Sequence, residues 1–202
     1  MRAVTAQIAI LPLLIACGPK ASKDFAAANL VEAKQLQPIG ALPMASGPAQ
    51  GEEGPSIEVQ SEDINRDGDP DIFYVYKRDE TGSNLIRVEI DLNWDGQIDM
   101  RTTFNPATQM RESEEMDGDF DGTVDWVDHY QGGKRTLSEV DTNYDGTFDL
   151  FKIYESGSVR RKERDTNFDG TIDFWEYLDD QGNVTKVGRD IDGDGVMDIR
   201  ED

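Results

Sequence analysis

The chain has 202 residues, enough for one ordinary domain with extensions, and its 42 acidic side chains against 20 basic ones leave a net charge of −22. That balance argues against nucleic acid as a partner and against direct electrostatic docking on anionic lipid. The lone cysteine, Cys17, rules out an intrachain disulfide, so stability outside a cell has to come from packing and bound ions.

The first 16 residues read as an export signal. Arg2 supplies a positive start, and the apolar run from Ile8 to Ile15 is too short for a comfortable membrane span. The run ends in Leu14-Ile15-Ala16-Cys17, which resembles the bacterial lipobox. That resemblance implies removal of residues 1–16, lipidation of Cys17 and attachment to a membrane through the lipid. The bland alternative is a plain signal peptide that happens to contain a cysteine. Gly18 follows the cysteine, where an Asp would signal inner-membrane retention in enterobacteria. The resemblance therefore implies an outer-membrane lipoprotein and leaves open the face it occupies.

Residues 17–57 carry the lipidation site and then a tether rich in Ala, Gly, Pro and Ser, as in Pro43-Met-Ala-Ser-Gly-Pro48. A marginal helix over Lys23 to Gln35 is compatible with the pattern, though too short to stand alone. A disordered coil of this length has a root-mean-square span of roughly 35 Å.

From residue 58 onward the chain repeats one phrase six times, Asp-x-Asn/Asp-x-Asp-Gly-x-x-Asp. In each copy the first, third, fifth and ninth places carry oxygen side chains. They are Asp63, Asn65, Asp67 and Asp71; Asp91, Asn93, Asp95 and Asp99; Asp117, Asp119, Asp121 and Asp125. The remaining copies hold Asp141, Asn143, Asp145 and Asp149; Asp165, Asn167, Asp169 and Asp173; Asp190, Asp192, Asp194 and Asp198. Oxygen ligands at alternate places followed by glycine are how a short loop wraps a hard cation such as calcium, the glycine permitting the sharp turn. Acid-rich chains are often solvating and disordered, but here 20 of the 42 acids occupy these ligand places. The expectation is up to six Ca²⁺, whose 12 positive charges would cancel over half of the −22.

The phrases start at 63, 91, 117, 141, 165 and 190, a period near 25 residues that marks a repeat architecture. After each come short aromatic and β-branched runs, such as Ile72-Phe-Tyr-Val-Tyr76 and Leu150-Phe-Lys-Ile-Tyr154, which favour strands. They lead into turn material, such as Gln131-Gly-Gly133 and Glu155-Ser-Gly157, and a more charged run then returns to the next phrase. The fold class is therefore all-β: tandem two-stranded hairpins in an antiparallel meander or curved sheet. Cation loops line one edge, about 10 Å apart. The eighth loop places (Ile98, Val124, Phe148, Ile172, Met197) supply a thin core, and at least one sheet face is expected to be wet. The proline Pro70 and the less apolar second hairpin predict the amino-terminal end to be the least stable.

The phrase resembles the EF-hand loop and the aspartate-rich calcium repeats of thrombospondin type 3. The likeness covers the loops and not the helices of an EF-hand. The twelfth-place glutamate of that pattern is present only as Glu176 and Glu201, with Asp128 a shorter version; Tyr74, Thr102 and Lys152 stand there otherwise. The departure puts EF-hand coordination in doubt and leaves room for the ninth-place Asp to take over. Lipobox, spacer and repeats together are similar to lipoproteins of myxobacteria and their relatives.

The leading reading is a calcium-stabilised envelope lipoprotein, a non-enzymatic structural or adhesive module with an envelope protein or polysaccharide as partner. A hydrolase using paired aspartates is the alternative from another class. It is disfavoured because every aspartate pair lies in a loop and the single histidine, His129, sits on a strand. A calcium sensor would need helices to reorient. Trp94, Phe120, Tyr144 and Phe168 at the fourth place of successive loops either pack loop against loop, which is the favoured expectation, or form an exposed carbohydrate- or protein-binding ridge. Open sheet edges invite self-association, which charge repulsion opposes.

Overall fold

The computed structural model describes residues 56–80 and 82–201. The signal segment, Cys17, nearly all of the tether and the 23–35 helix lie outside the described residues. Within them the chain is all-β. Its strands are β1 (Ser56–Glu62), β2 (Ile72–Asp79), β3 (Gly82–Ile90), β4 (Met100–Phe104), β5 (Arg111–Met116) and β6 (Trp126–Gln131). They continue with β7 (Lys134–Val140), β8 (Leu150–Glu155), β9 (Ser158–Arg164), β10 (Phe174–Leu178), β11 (Val184–Arg189) and β12 (Ile199–Glu201). All twelve form one antiparallel sheet whose spatial order equals the sequence order. The sheet is an open meander, not a closed barrel. All six acidic loops therefore fall on one edge and the hairpin turns on the other.

Turn chemistry fixes the register. Gln131 pairs with Lys134 across Gly132 and Gly133, both at positive φ, and Glu155 pairs with Ser158 across Ser156 and Gly157, also both positive. Two consecutive residues with φ > 0 make the turn whose twist matches the flanking strands. Each of the five hairpins then shifts register at one equivalent place, between Val75 and Tyr76, Thr103 and Phe104, His129 and Tyr130, Ile153 and Tyr154, and Tyr177 and Leu178. The return strand carries the extra residue there (Ile86 opposite the first shift), which adds twist to every repeat.

The pairing sets side chains in rows across the sheet. The row nearest the loops reads Ile72, Ile90, Met100, Met116, Trp126, Val140, Leu150. The next row, on the opposite face, reads Phe73, Glu89, Arg101, Glu115, Val127, Glu139, Phe151, Glu163, Trp175. Neither face has a second layer over it among the described residues, so a side chain is covered by its neighbours in the rows and by the curl of the loops. The core expected from the sequence is present in part: of the eighth loop places Ile98 and Val124 are buried and Phe148, Ile172 and Met197 half-buried, while Val75, Val140, Leu150, Phe151, Ile153 and Trp175 on the strands are buried as well. Among the described residues, buried polar and charged ones outnumber buried apolar ones, 14 against 8.

Polar groups therefore hold the sheet together where aliphatic packing is thin. Glu89, 1% exposed, is reached by Arg101 Nε at 3.0 Å and Arg87 Nε at 3.0 Å, and Arg101 Nη1 continues to Glu115 at 3.4 Å. On the other face Asp128 accepts from Trp126 Nε1 (2.9 Å) and Ser138 Oγ and pairs with Arg135 Nη2 (2.9 Å). Arg135 lies over the rings of Tyr130 and Tyr154, at 5.7 and 5.5 Å from their centroids, and Arg111 over Tyr130 at 5.3 Å. Guanidinium groups stacked on aromatic faces thus link strands β5 to β8, adding cation–π attraction to the backbone ladder.

Candidate metal centre

Every loop is built by carboxylates gathering backbone N–H groups. In the fourth, Asp141 Oδ1 accepts from Tyr144 N at 2.7 Å and Asp141 Oδ2 from Gly146 N at 2.7 Å. Asn143 Oδ1 accepts from Asp145 N (3.2 Å), Asp145 Oδ1 from Thr147 N (3.0 Å), and Asp149 Oδ2 from Thr142 N (2.7 Å). The bond from the sixth-place glycine N–H to the first-place aspartate recurs in all six loops, at 2.7–3.0 Å. Pointing these N–H groups inward requires left-handed backbone at the fourth and sixth places. Arg66, Trp94, Phe120, Tyr144, Phe168 and Gly193 adopt it at the fourth, and glycine adopts it at the sixth throughout. The glycine requirement was legible in the sequence; the left-handed fourth place was not.

The loops are also tied to each other. The ninth-place N–H closes each loop onto the residue preceding it, as Asp149 N to Val140 O at 2.9 Å. The first-place N–H of each following loop then donates to the ninth-place carbonyl of the loop before, from Asp91 N to Asp71 O (2.8 Å) through to Asp190 N to Asp173 O (3.0 Å).

Position sorts the predicted ligands into two groups. The first-place Asp91, Asp117, Asp141 and Asp165 and the ninth-place Asp71, Asp99, Asp125 and Asp149 are buried, and each accepts at least one backbone N–H. Asp173 and Asp190 are half-buried, and Asp63 and Asp198 exposed. The fifth-place Asp67, Asp95, Asp121, Asp145, Asp169 and Asp194 all face solvent. So do the third-place residues Asp119, Asn143, Asn167 and Asp192, with Asn65 and Asn93 half-buried.

Three carboxylates gather in the third loop, Asp117, Asp119 and Asp121, and in the sixth, Asp190, Asp192 and Asp194. In each, three carboxylate oxygens lie within 4.8 Å of one another. The other four loops have Asn at the third place, and its Nδ2 donates to the fifth-place carboxylate at 2.8–3.1 Å. Electrostatics follow the same division. Burial pushes the carboxyls of Asp99, Asp125 and Asp149 up against the pull of their backbone hydrogen bonds, and neighbouring Asp91, Asp117 and Asp141 push the same way. The charges of Asp194 and Asp198 raise Asp192, whereas the Gln97 N–H and then Asn93 hold Asp95 down. An all-oxygen, anionic donor set of this kind fits a hard divalent cation.

Two of the twelfth-place acids are engaged on the sheet. Asp128 is committed to Trp126, Ser138 and Arg135 on the sheet, and Glu176 lies 3.7 Å from Lys162 and 3.8 Å from Arg164. A notch of about 400 Å³ lies between the third and fourth loops, lined by Met116, Gly118, Asp125, Trp126, Val140, Asp141, Thr142 and Tyr144. Its two carboxylates are the loops' own. His129 Nε2 lies 2.7 Å from Glu139 Oε2, and that hydrogen bond raises the pKa of the imidazole.

The fourth-place rings are not buried between the loops as expected. Trp94, Phe120, Tyr144 and Phe168 are 61, 42, 54 and 49% exposed. Tyr144 also lines the notch between the third and fourth loops, and the sixth and seventh places add to the contacts between loops. A Cβ on Gly146 would touch Thr123, and one on Gly122 would touch Gln97.

Fold and loops together define an all-β repeat protein with acidic, metal-competent loops stacked along one sheet edge. No protein-family model and no curated protein matches the chain.

Proposed function

We propose that this is a calcium-binding lipoprotein of the bacterial cell envelope, anchored through Cys17, in which up to six Ca²⁺ rigidify a non-enzymatic structural or adhesive module. The observation that carries the reading is the convergence of Asp117, Asp119 and Asp121, repeated by Asp190, Asp192 and Asp194. Three carboxylates this close repel unless a cation joins them, and a bound ion converts that repulsion into folding free energy. The buried first- and ninth-place aspartates shape the loop, and the solvent-facing fifth-place aspartates, with the third-place side chains, are the groups a cation from solvent would reach.

Replacing Asp119 and Asp121 together with Asn tests this assignment. Both are exposed, each accepting a backbone hydrogen bond within its own loop (3.2 and 2.7 Å) that the amide oxygen of Asn preserves. Calorimetry is expected to show one ion fewer per chain, with the melting temperature of the calcium-free protein unchanged or raised. Unaltered stoichiometry would remove the third loop from the set of sites.

A second reading, favoured by the exposure of the four fourth-place rings, makes the loop edge the contact surface for an envelope polysaccharide or protein. Successive loops are separated by two strands, about 10 Å, so flat rings recur at even spacing along the edge. Tyr144→Ser with Phe168→Ser is expected to leave calcium stoichiometry and melting temperature unchanged and to remove surface attachment. A fall in melting temperature with attachment intact would return these rings to a packing role.

A further inference from the structure

We infer that the two ends of the sheet join head to tail, the outer edge of β12 in one copy receiving the outer edge of β1 in a second copy of the chain. The repeat alternates strands that leave a loop with strands that enter one. β1 enters the first described loop and β12 leaves the sixth, and among the described residues neither has a strand on its outer side, where each would take the kind that the other supplies.

The register of the interior transfers directly. The first residue after each loop pairs with the residue just before the next loop, as Ile72 with Ile90 and Leu150 with Arg164. The same rule sets Ile199 against Glu62 of the second copy, Arg200 against its Ser61 and Glu201 against its Gln60. The loop-to-loop bond continues as well. Five times the first-place N–H donates to the ninth-place carbonyl of the preceding loop, and Asp63 N–H and Asp198 C=O are the corresponding atoms at the two ends.

Burial and apolar exposure mark the same two ends. The first-place aspartates of the second to fifth loops are buried but Asp63 is exposed, and the ninth-place aspartates of the first four are buried but Asp198 is exposed. Among the described residues every strongly exposed Ile and Val lies at one end or the other: Ile57, Val59 and Ile64, or Val184, Ile191, Val196 and Ile199. Repeat arrays that stop usually close with a polar outer face, and free edge strands are usually guarded by lysine or proline. β1 (Ser-Ile-Glu-Val-Gln-Ser-Glu) contains neither. A contact between two different surfaces leaves the same pair free at the far ends, so growth continues past the dimer until the chain of copies closes on itself or stays open. The net charge of −22 opposes it, and salt or bound cations relieve that opposition. The contact rests on strand register and stands or falls separately from the calcium reading.

Gln60 and Glu201 fall in a row that is not hydrogen-bonded in the interior ladder, where facing side chains approach closest. Gln60→Cys with Glu201→Cys, in a Cys17→Ser full-length chain, tests the contact by oxidation at moderate salt. The expected result is a ladder of covalent multimers extending past the dimer, with either single cysteine stopping at the dimer. A monomer, a ladder ending at the dimer, or a fast-running intrachain disulfide would overturn the proposal. Sedimentation of the unaltered chain checks it without substitution: average mass should climb with concentration, and a constant monomer mass would contradict it.

Discussion

Arg101→Met is expected to lower stability by about 3–5 kcal/mol, read as a shift in the urea midpoint. Arg101 is 9% exposed and places Nε 3.0 Å from the carboxylate of Glu89, itself 1% exposed, while Nη1 reaches Glu115. Removing the guanidinium leaves a carboxylate buried in the sheet with only Arg87 beside it, and an uncompensated buried charge costs more than the pair gained by forming. The double variant Glu89→Met, Arg101→Met is therefore expected to recover most of the loss. A single variant as stable as the parent would show that the row is solvated and that its ion pairs contribute little.

Asp141→Ala is the second large effect. Its carboxylate is 2% exposed and receives the N–H groups of Tyr144 and Gly146 at 2.7 Å each. Alanine strands these donors in a buried loop, at a cost of about 1–3 kcal/mol per group. In calcium-free buffer the domain should lose about 3 kcal/mol, against at most about 1 kcal/mol for Asp121→Ala, whose side chain faces solvent. In calcium titrations both variants should lose the corresponding ion. Equal destabilisation by the two in the absence of calcium would dissolve the division between loop-shaping and cation-facing aspartates.

The hairpin meander, the edge of loops and the turns were legible because each is written locally and repeated. Gly132-Gly133 and Ser156-Gly157 specify two-residue turns, and Ile72–Tyr76 or Leu150–Tyr154 read as strands with no partner in view. The sequence did not reveal how a single layer buries anything. That depends on cross-strand rows, and the Glu89–Arg101–Glu115 chain becomes visible only when residues 12 and 14 apart are set side by side. The Arg135–Tyr130–Tyr154 stack was hidden for the same reason, although aromatic residues at the fourteenth place of successive repeats (Tyr76, Phe104, Tyr130, Tyr154) were a signal that could have found it. The exposure of the fourth-place rings was not legible because side-chain type suggests burial, and the left-handed backbone at Trp94, Phe120, Tyr144 and Phe168 is not written in the residue type. The loops' ligand pattern was explicit, but the split between buried and exposed carboxylates needed the hydrogen bonds between neighbouring loops.

Calcium titration of the decalcified full-length chain, by calorimetry with the melting temperature followed at each point, tests the central claim most directly. The account predicts saturable heat with a stoichiometry approaching six ions and a melting temperature that climbs as the loops fill. No binding heat and an unmoved melting temperature at millimolar calcium would contradict it, leaving the aspartates as backbone-gathering turn formers.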